Sequence, residues 1–296
     1  MTEKYEFIES LRIDDGKYPV AFMCERLAVS KSGFYEWRSR PESATAERRE
    51  HLKLLIRKAF DDSDETYGYR RVHAQLARWG VAVGPELVRA LMRELDLVPC
   101  QPRPWRHSLT KGGASGPIPD LVGRDFTADA PGQKMVGDIT YIPTWEGWLY
   151  LATVIDCHTK AVIGWAMDDN YKTPLICAAI EMAARNHHLG PQAIFHSDRG
   201  SNYTSAEFAT ALTDLNLRQS VGRTGICYDN AMAESFFAVL KNELVHRTQY
   251  PSREHARKDI ARYIELRYNT NRLHSGLGYK TPHEVHTEYL NRQQAA

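Results

Sequence analysis

Three acids of this chain are spaced and flanked as a set: Asp138, Asp198 and Glu234, with 59 residues between the first two and 35 between the last two. Converging carboxylates repel one another, and a protein keeps them together only where cations neutralise them. Mg²⁺ or Mn²⁺ suits that task, because these hard ions take carboxylate oxygens and keep positions open for water and phosphate. Two such ions about 3.5–4 Å apart can activate an attacking oxygen and stabilise a leaving one in phosphodiester displacement. Lys241 follows Glu234 by seven positions, so both project from one helix face and the lysine can reach a DNA phosphate beside the acids. Singly, an aspartate at a strand end is ordinarily a turn residue and a helical glutamate is ordinarily solvated. The functional reading rests on the flanks they carry together.

Those flanks define the elements that must position the acids. Residues 135–142 alternate and are rich in β-branched side chains, which predicts a strand with Asp138 in its middle. The apolar run Ala193, Ile194, Phe195 ends on His196, Ser197, Asp198, Arg199 and Gly200, the pattern of a buried strand that delivers a carboxylate before a glycine turn. Asp229 and Asn230 are good N-cap residues for a helix that carries Glu234. Residues 148–155 and 161–167 predict two further strands in an antiparallel run with the Asp138 strand, joined by 156–160. Asp156 in that connection reads as a turn residue. Helices are expected over 174–187 and 205–215, and a short strand over 217–221.

With these segments in place the sequence resembles the DDE transposases and retroviral-type integrases. More narrowly, it resembles the OrfB product of the IS-three family of bacterial insertion sequences. The resemblance is carried by Gly137-Asp138-Ile139-Thr140-Tyr141, His196-Ser197-Asp198-Arg199-Gly200-Ser201, and Tyr228-Asp229-Asn230-Ala231 with Glu234, Ser235, Phe236 and Lys241. It continues in Tyr268-Asn269, Arg272-Leu273-His274-Ser275 and Leu277-Gly278-Tyr279 ahead of Pro282, and so covers nearly the whole chain. It implies an α/β fold: a ribonuclease-H-like mixed five-stranded sheet flanked by helices, in the order βββαβαβα, preceded by an all-α helix-turn-helix region. It further implies that Asp138, Asp198 and Glu234 form the catalytic, metal-binding triad, with Lys241 as the accompanying basic residue. Two Mg²⁺ or Mn²⁺ ions per site are expected, serving cleavage at the element ends and strand transfer. The implied partners are double-stranded DNA (terminal inverted repeats and target), further copies of the chain as a dimer or higher homo-oligomer, and an OrfA product, separate or fused. The His/Cys zinc module of retroviral integrases has no counterpart in this sequence. Two other readings stand beside this one: a catalytically idle, transposase-derived DNA-binding protein, and a ribonuclease H-type nuclease.

The rest of the chain is organised around that core. At 296 residues, 43% hydrophobic and 25% charged, it has the composition of a globular protein with room for one large core and smaller domains. A net charge of +1 leaves nucleic-acid binding to local patches. Residues 1–45 predict a DNA-binding helix-turn-helix, with Ser30 capping its second helix and Lys31, Ser32 and Arg38 as first candidates for DNA contact. Residues 46–98 predict a second helix-turn-helix-like pair, with Arg70, Arg71 and Arg89 as candidate contacts to DNA phosphates. Residues 99–125 read as a basic, Pro/Gly-rich linker with Arg103 and Arg106 as candidate DNA contacts. The catalytic core is expected over 126–245, with Arg223, in a glycine-bearing, mobile segment ahead of the Glu234 helix, and Lys241 as further candidate DNA contacts, and a basic helical extension over 246–296. The five scattered cysteines, without any CxxC, argue for reduced thiols. With no apolar leader and no membrane-length run, the expected location is the cytoplasm, on the nucleoid when DNA is bound.

Overall fold

The computed structural model describes residues 2–14, 18–39, 41, 43–100, 118–222 and 230–295. The chain divides into two compact units, Met1–Ile56 and Arg57–Ala296. In the first, α1 (Thr2–Asp14), α2 (Val20–Arg26) and α3 (Lys31–Ser39) close on Tyr5, Ile8, Met23, Cys24 and Phe34. The turn before α3 is set by Ser30, whose Oγ accepts from Gly33 N at 3.2 Å, relieving an N–H that the helix itself leaves unpaired. A side chain at position 33 would stand 2.6 Å from Tyr5 Oη, so glycine is what lets that ring pack.

The helix α4 (Ala44–Asp61) leads into the second unit. There α5 (Tyr69–Arg78) buries Val72 and Leu76, and α6 (Pro85–Glu94) buries Val88, Leu91 and Met92. Gly80, at φ +77°, takes the left-handed conformation that ends α5. The core is a single mixed sheet of β1 (Lys134–Thr144), β2 (Gly147–Asp156), β3 (Val162–Asp168), β4 (Ile194–Ser197) and β5 (Arg218–Val221), in the order β3-β2-β1-β4-β5. The first three strands form an antiparallel meander, and β4 and β5 add in parallel.

Strand alternation splits the core in two. Met135 and Phe195 face α7 (Thr173–Asn186) and α8 (Ala206–Asp214), while Val136, Ile142 and Leu149 face α9 (Ala231–Glu243) and α10 (Arg253–Arg262). This is the ribonuclease-H-like arrangement expected from the order of elements. The basic helical extension expected over 246–296 has α10 as its first α-helix, and its helical run is not uniform. After α10 the backbone widens to a π turn, Tyr263–Tyr268, which seats Tyr263, Ile264 and Tyr268 in the core before α11 (Pro282–Gln294). Most of the linker, residues 101–117, lies outside the described residues. Among the described residues no helix is long and apolar enough to cross a membrane.

Candidate active site

The ladder between β1 and β4 is short. Its pairs are Lys134↔Ile194, Met135↔Phe195 and Val136↔His196. Two residues past that last pair stand Asp138 and Asp198, so in a parallel register both aspartates fall on the same face just beyond the point where the strands part. Gly137 keeps the strands close, because a Cβ there would meet Phe195 Cζ at 2.2 Å. Each aspartate is aimed by a backbone N–H: Asp138 Oδ1 accepts from Ile139 at 2.8 Å, and Asp198 Oδ1 accepts from Gly200 at 2.9 Å. The third acid comes from α9. Asn230, expected to cap that helix, makes no capping bond. Its Nδ2 instead donates to Gly137 O at 3.3 Å, which moors the start of the Glu234 helix to the strand of Asp138. The other capping candidate, Asp229, lies outside the described residues.

The electrostatics register this convergence. Burial first, and then the charge of Asp198, push the Asp138 carboxyl up to about 7; Glu234 adds to the rise, while the Ile139 N–H and Lys241 oppose it. Glu234 is raised by burial and by Asp198. Lys241 is lowered by burial, against the pull of Asp138, and its Nζ stands 4.8 Å from the ring centroid of Tyr141. Among the described residues, no three His, Cys, Asp or Glu side chains are arranged to hold a metal ion. The acids thus feel one another's charge without being closed into a ligand set. Thr153, the cross-strand partner of Asp138, is buried and its hydroxyl has no partner among the described residues.

Two residues beside the acids have roles that the sequence did not assign: Tyr203, which was not singled out, and Arg199, which was named only as part of a motif. Tyr203 is buried, and its hydroxyl is raised well above its usual value by burial and then by Asp138 and Asp198. Its place five residues after Asp198 was the available signal. Arg199 fastens the loop after β4, donating to Gly222 O at 2.9 Å and to Ile118 O at 3.1 Å. Asp156 is the turn residue expected: it is buried and accepts from Thr159 N at 2.7 Å and from Gly132 N at 2.8 Å.

The basic candidates divide. Lys31, Ser32 and Arg38 are exposed on α3, with Arg38 3.5 Å from Glu9. Arg70 is exposed against the Tyr69 ring. Arg71 is engaged inside the unit, with Nε donating to Leu273 O at 3.0 Å, so it ties α5 to the C-terminal segment. Arg103, Arg106 and Arg223 lie outside the described residues, as does most of the segment ahead of the Glu234 helix. The C-terminal motif has a packing role. Arg272 grips Glu243 of α9 through Nε and Nη2, with contacts of 2.7–2.9 Å, and Tyr263 Oη donates to the same carboxylate at 2.8 Å. Asn269 pairs with both backbone polar groups of Val162, at 3.0 and 2.9 Å.

Among solved structures, the HTLV-2 integrase catalytic core domain superposes with a TM-score of 0.41 and 18% identity, over 53% of this chain and 98% of that one. The sequence pattern of the Integrase core domain family matches residues 128–227, a second pattern of that description matches 215–282, and an HTH-like domain pattern matches 47–105. The transposase InsF for insertion sequence IS3A of Escherichia coli is 37% identical over 289 residues, covering 97% of this chain and 99% of that protein. The insertion element IS600 31 kDa protein of Shigella sonnei is 37% identical over 267 residues, covering 90% and 98%. Near-complete alignment at this identity, across both the helical region and the split sheet, makes the chain a member of the IS3-family transposases with an integrase core.

Proposed function

We propose that this transposase cuts and joins DNA strands at Asp138, Asp198 and Glu234, with Lys241 acting beside them. The observation that carries the reading is the Asp138 carboxyl, held up to about 7 by burial and by the two other acids. A site that strains a carboxylate in this way is suited to a cation rather than to an empty surface. The donor set fits Mg²⁺ or Mn²⁺, being three hard oxygen ligands of one sign next to solvent. Asp138 and Asp198 would hold the ion, and Glu234 would complete the shell of a second. When bound, the metal lowers the pKa of water and offsets the charge that develops on a phosphoryl group.

The chain's own residues set the geometry. Asn230 holds the Glu234 helix against β1, and the Ile139 and Gly200 N–H groups fix which oxygen each aspartate offers. Lys241 offers a partly desolvated ammonium to a phosphate of the bound strand. A water oxygen attacks phosphorus at the element end and the O3′ leaves, taking a proton, to give a free 3′-OH. That hydroxyl then attacks a second phosphodiester, forming the new P–O bond as the old one breaks. Double-stranded DNA is the substrate, with Lys31, Ser32, Arg38 and Arg70 as exposed contacts. Two ends must be held at once, so the acting species is a homo-oligomer, and an OrfA product is a further partner.

The test is strand transfer with a labelled duplex carrying an element end, in Mg²⁺ or Mn²⁺, for wild type, Asp138→Asn and Glu234→Gln. Joined product that falls by about a thousand-fold or more in both variants is expected, while DNA binding persists. Product that survives either substitution rules out this assignment.

A further inference from the structure

The hairpin that carries Asp138 also carries exposed aromatic rings that the chemistry above does not use. Tyr141 is 54% exposed and Trp148 is 50% exposed. Their rings meet edge to face with centroids 4.9 Å apart. By strand alternation both belong to the face of the sheet that α7 and α8 cover further along, and here both rings stay half exposed. Core packing does not account for two large half-exposed rings side by side, since neither belongs to a buried cluster.

The surroundings indicate what belongs there. Lys241 Nζ stands 4.8 Å from the Tyr141 centroid, and the same ammonium feels the charge of Asp138. The rings therefore adjoin the acids through one shared cation. Arg253 sits on the hairpin as well, with Nε donating to Trp148 O at 3.0 Å. The nearby acid Glu146 is turned aside and accepts from Arg253 N at 2.8 Å. On the β3 side, Tyr150 packs on Tyr171 with centroids 5.3 Å apart, and there Asp168 and Asp169 limit how far an anionic ligand can extend. Exposed ring faces bordered by cations are the combination that holds single-stranded nucleic acid, where bases stack on aromatic side chains and phosphates meet ammonium groups. A paired base has both faces covered by its neighbours in the helix. Only an unpaired one has a face to offer.

We propose that Tyr141 and Trp148 form a stacking platform for an unpaired base of the DNA strand whose phosphate Lys241 holds. This rests on the strand-transfer reading above and adds to it where the strand lies next to the cut. Both residues act as positioning residues, touching a base and not the reacting phosphorus.

The test uses the full chain in EDTA, so that no turnover occurs, with two probes: a blunt duplex, and the same duplex with a short unpaired 3′ tail containing 2-aminopurine. Wild type is expected to bind the tailed duplex more tightly and to quench the probe. Tyr141→Ala/Trp148→Ala should lose roughly ten-fold in affinity for the tailed duplex together with the quench, and should bind the blunt duplex as wild type does. Tyr141→Phe/Trp148→Phe should retain both, which excludes misfolding as the cause. Equal loss on both duplexes, or no loss on either, overturns the platform. A change in sedimentation of the alanine variant without DNA also overturns it, by assigning the rings to contact between copies. Failure of wild type to bind either duplex would instead remove the DNA reading on which the platform depends.

Discussion

Asp138 carries a penalty that depends on pH. Its carboxyl is held up to about 7 in the folded chain, against about 3.9 for an aspartate in an unfolded one. The folded state therefore keeps a proton that the unfolded state has released. Below pH 4 both states are protonated and nothing is lost. Between pH 4 and 7 stability falls as pH rises, and above 7 the penalty is complete. We expect the thermal midpoint of metal-free protein to drop between pH 5 and pH 8, and Asp138→Asn to flatten that drop. Added Mg²⁺ should raise the midpoint at pH 8 more than at pH 5, because a cation favours the ionised carboxylate. Differential scanning calorimetry at the two pH values decides the matter, and an identical Mg²⁺ effect at both would count against a coupled carboxylate site. The buried Thr153 hydroxyl across the ladder from Asp138, without a partner among the described residues, is a second polar group beside that carboxyl not paired within the fold described.

At the scale of elements, the site depends on where α9 lies against β1, and two contacts set this. Asn230 fixes the beginning of the helix, and the buried Arg272–Glu243 pair fixes its end. Removing one partner of a buried ion pair leaves the other charge stranded. Arg272→Met should therefore cost about 3–5 kcal/mol. Arg272→Met/Glu243→Met should recover much of that loss in urea unfolding, and a double variant no more stable than the single would show that the pair does not act as one unit. The strands, the α7 and α8 helices and the placement of Asp138 mid-strand were legible because alternation and turn residues are local signals. The Arg272–Glu243 pair was not, because 28 residues separate its members and the motif that holds Arg272 does not name its partner. The π turn was hidden for a related reason: basic residues at helical spacing run on through 262 and 267, while the backbone widens to bury Tyr263 and Tyr268 together. Asn230 does stand at the N-cap, as its residue type suggests, but its side chain makes no capping bond and donates instead to the Gly137 carbonyl, a tertiary partner the sequence does not reveal.

For the whole molecule, the second unit is closed by its own far end. Leu273 N donates to Tyr67 Oη at 2.8 Å, Arg71 reaches Leu273 O, Arg78 pairs with Glu284, and Arg267 donates to Asp62 O at 3.0 Å. The pair α5–α6 therefore rests on residues some two hundred positions later in sequence. A chain ended after Tyr268 should lose amide-exchange protection in α5 and α6 while α2 and α3 keep theirs. Unchanged protection in α5 would show that these bonds are incidental. That long-range closure was beyond reach of the sequence, which showed two helical pairs and a basic tail but not that the tail clasps the second pair. It also bears on how the protein comes into being. Synthesis adds the strands and α9 before Arg272, and until then Glu243 lacks the guanidinium it grips in the finished fold. Synthesis and assembly are thus linked in time: a product cut short before Arg272 should hold the far end of α9 less firmly than the finished chain does. The firmness of α9 is in this way a property of the chain read through Arg272, not of the strands and helix alone.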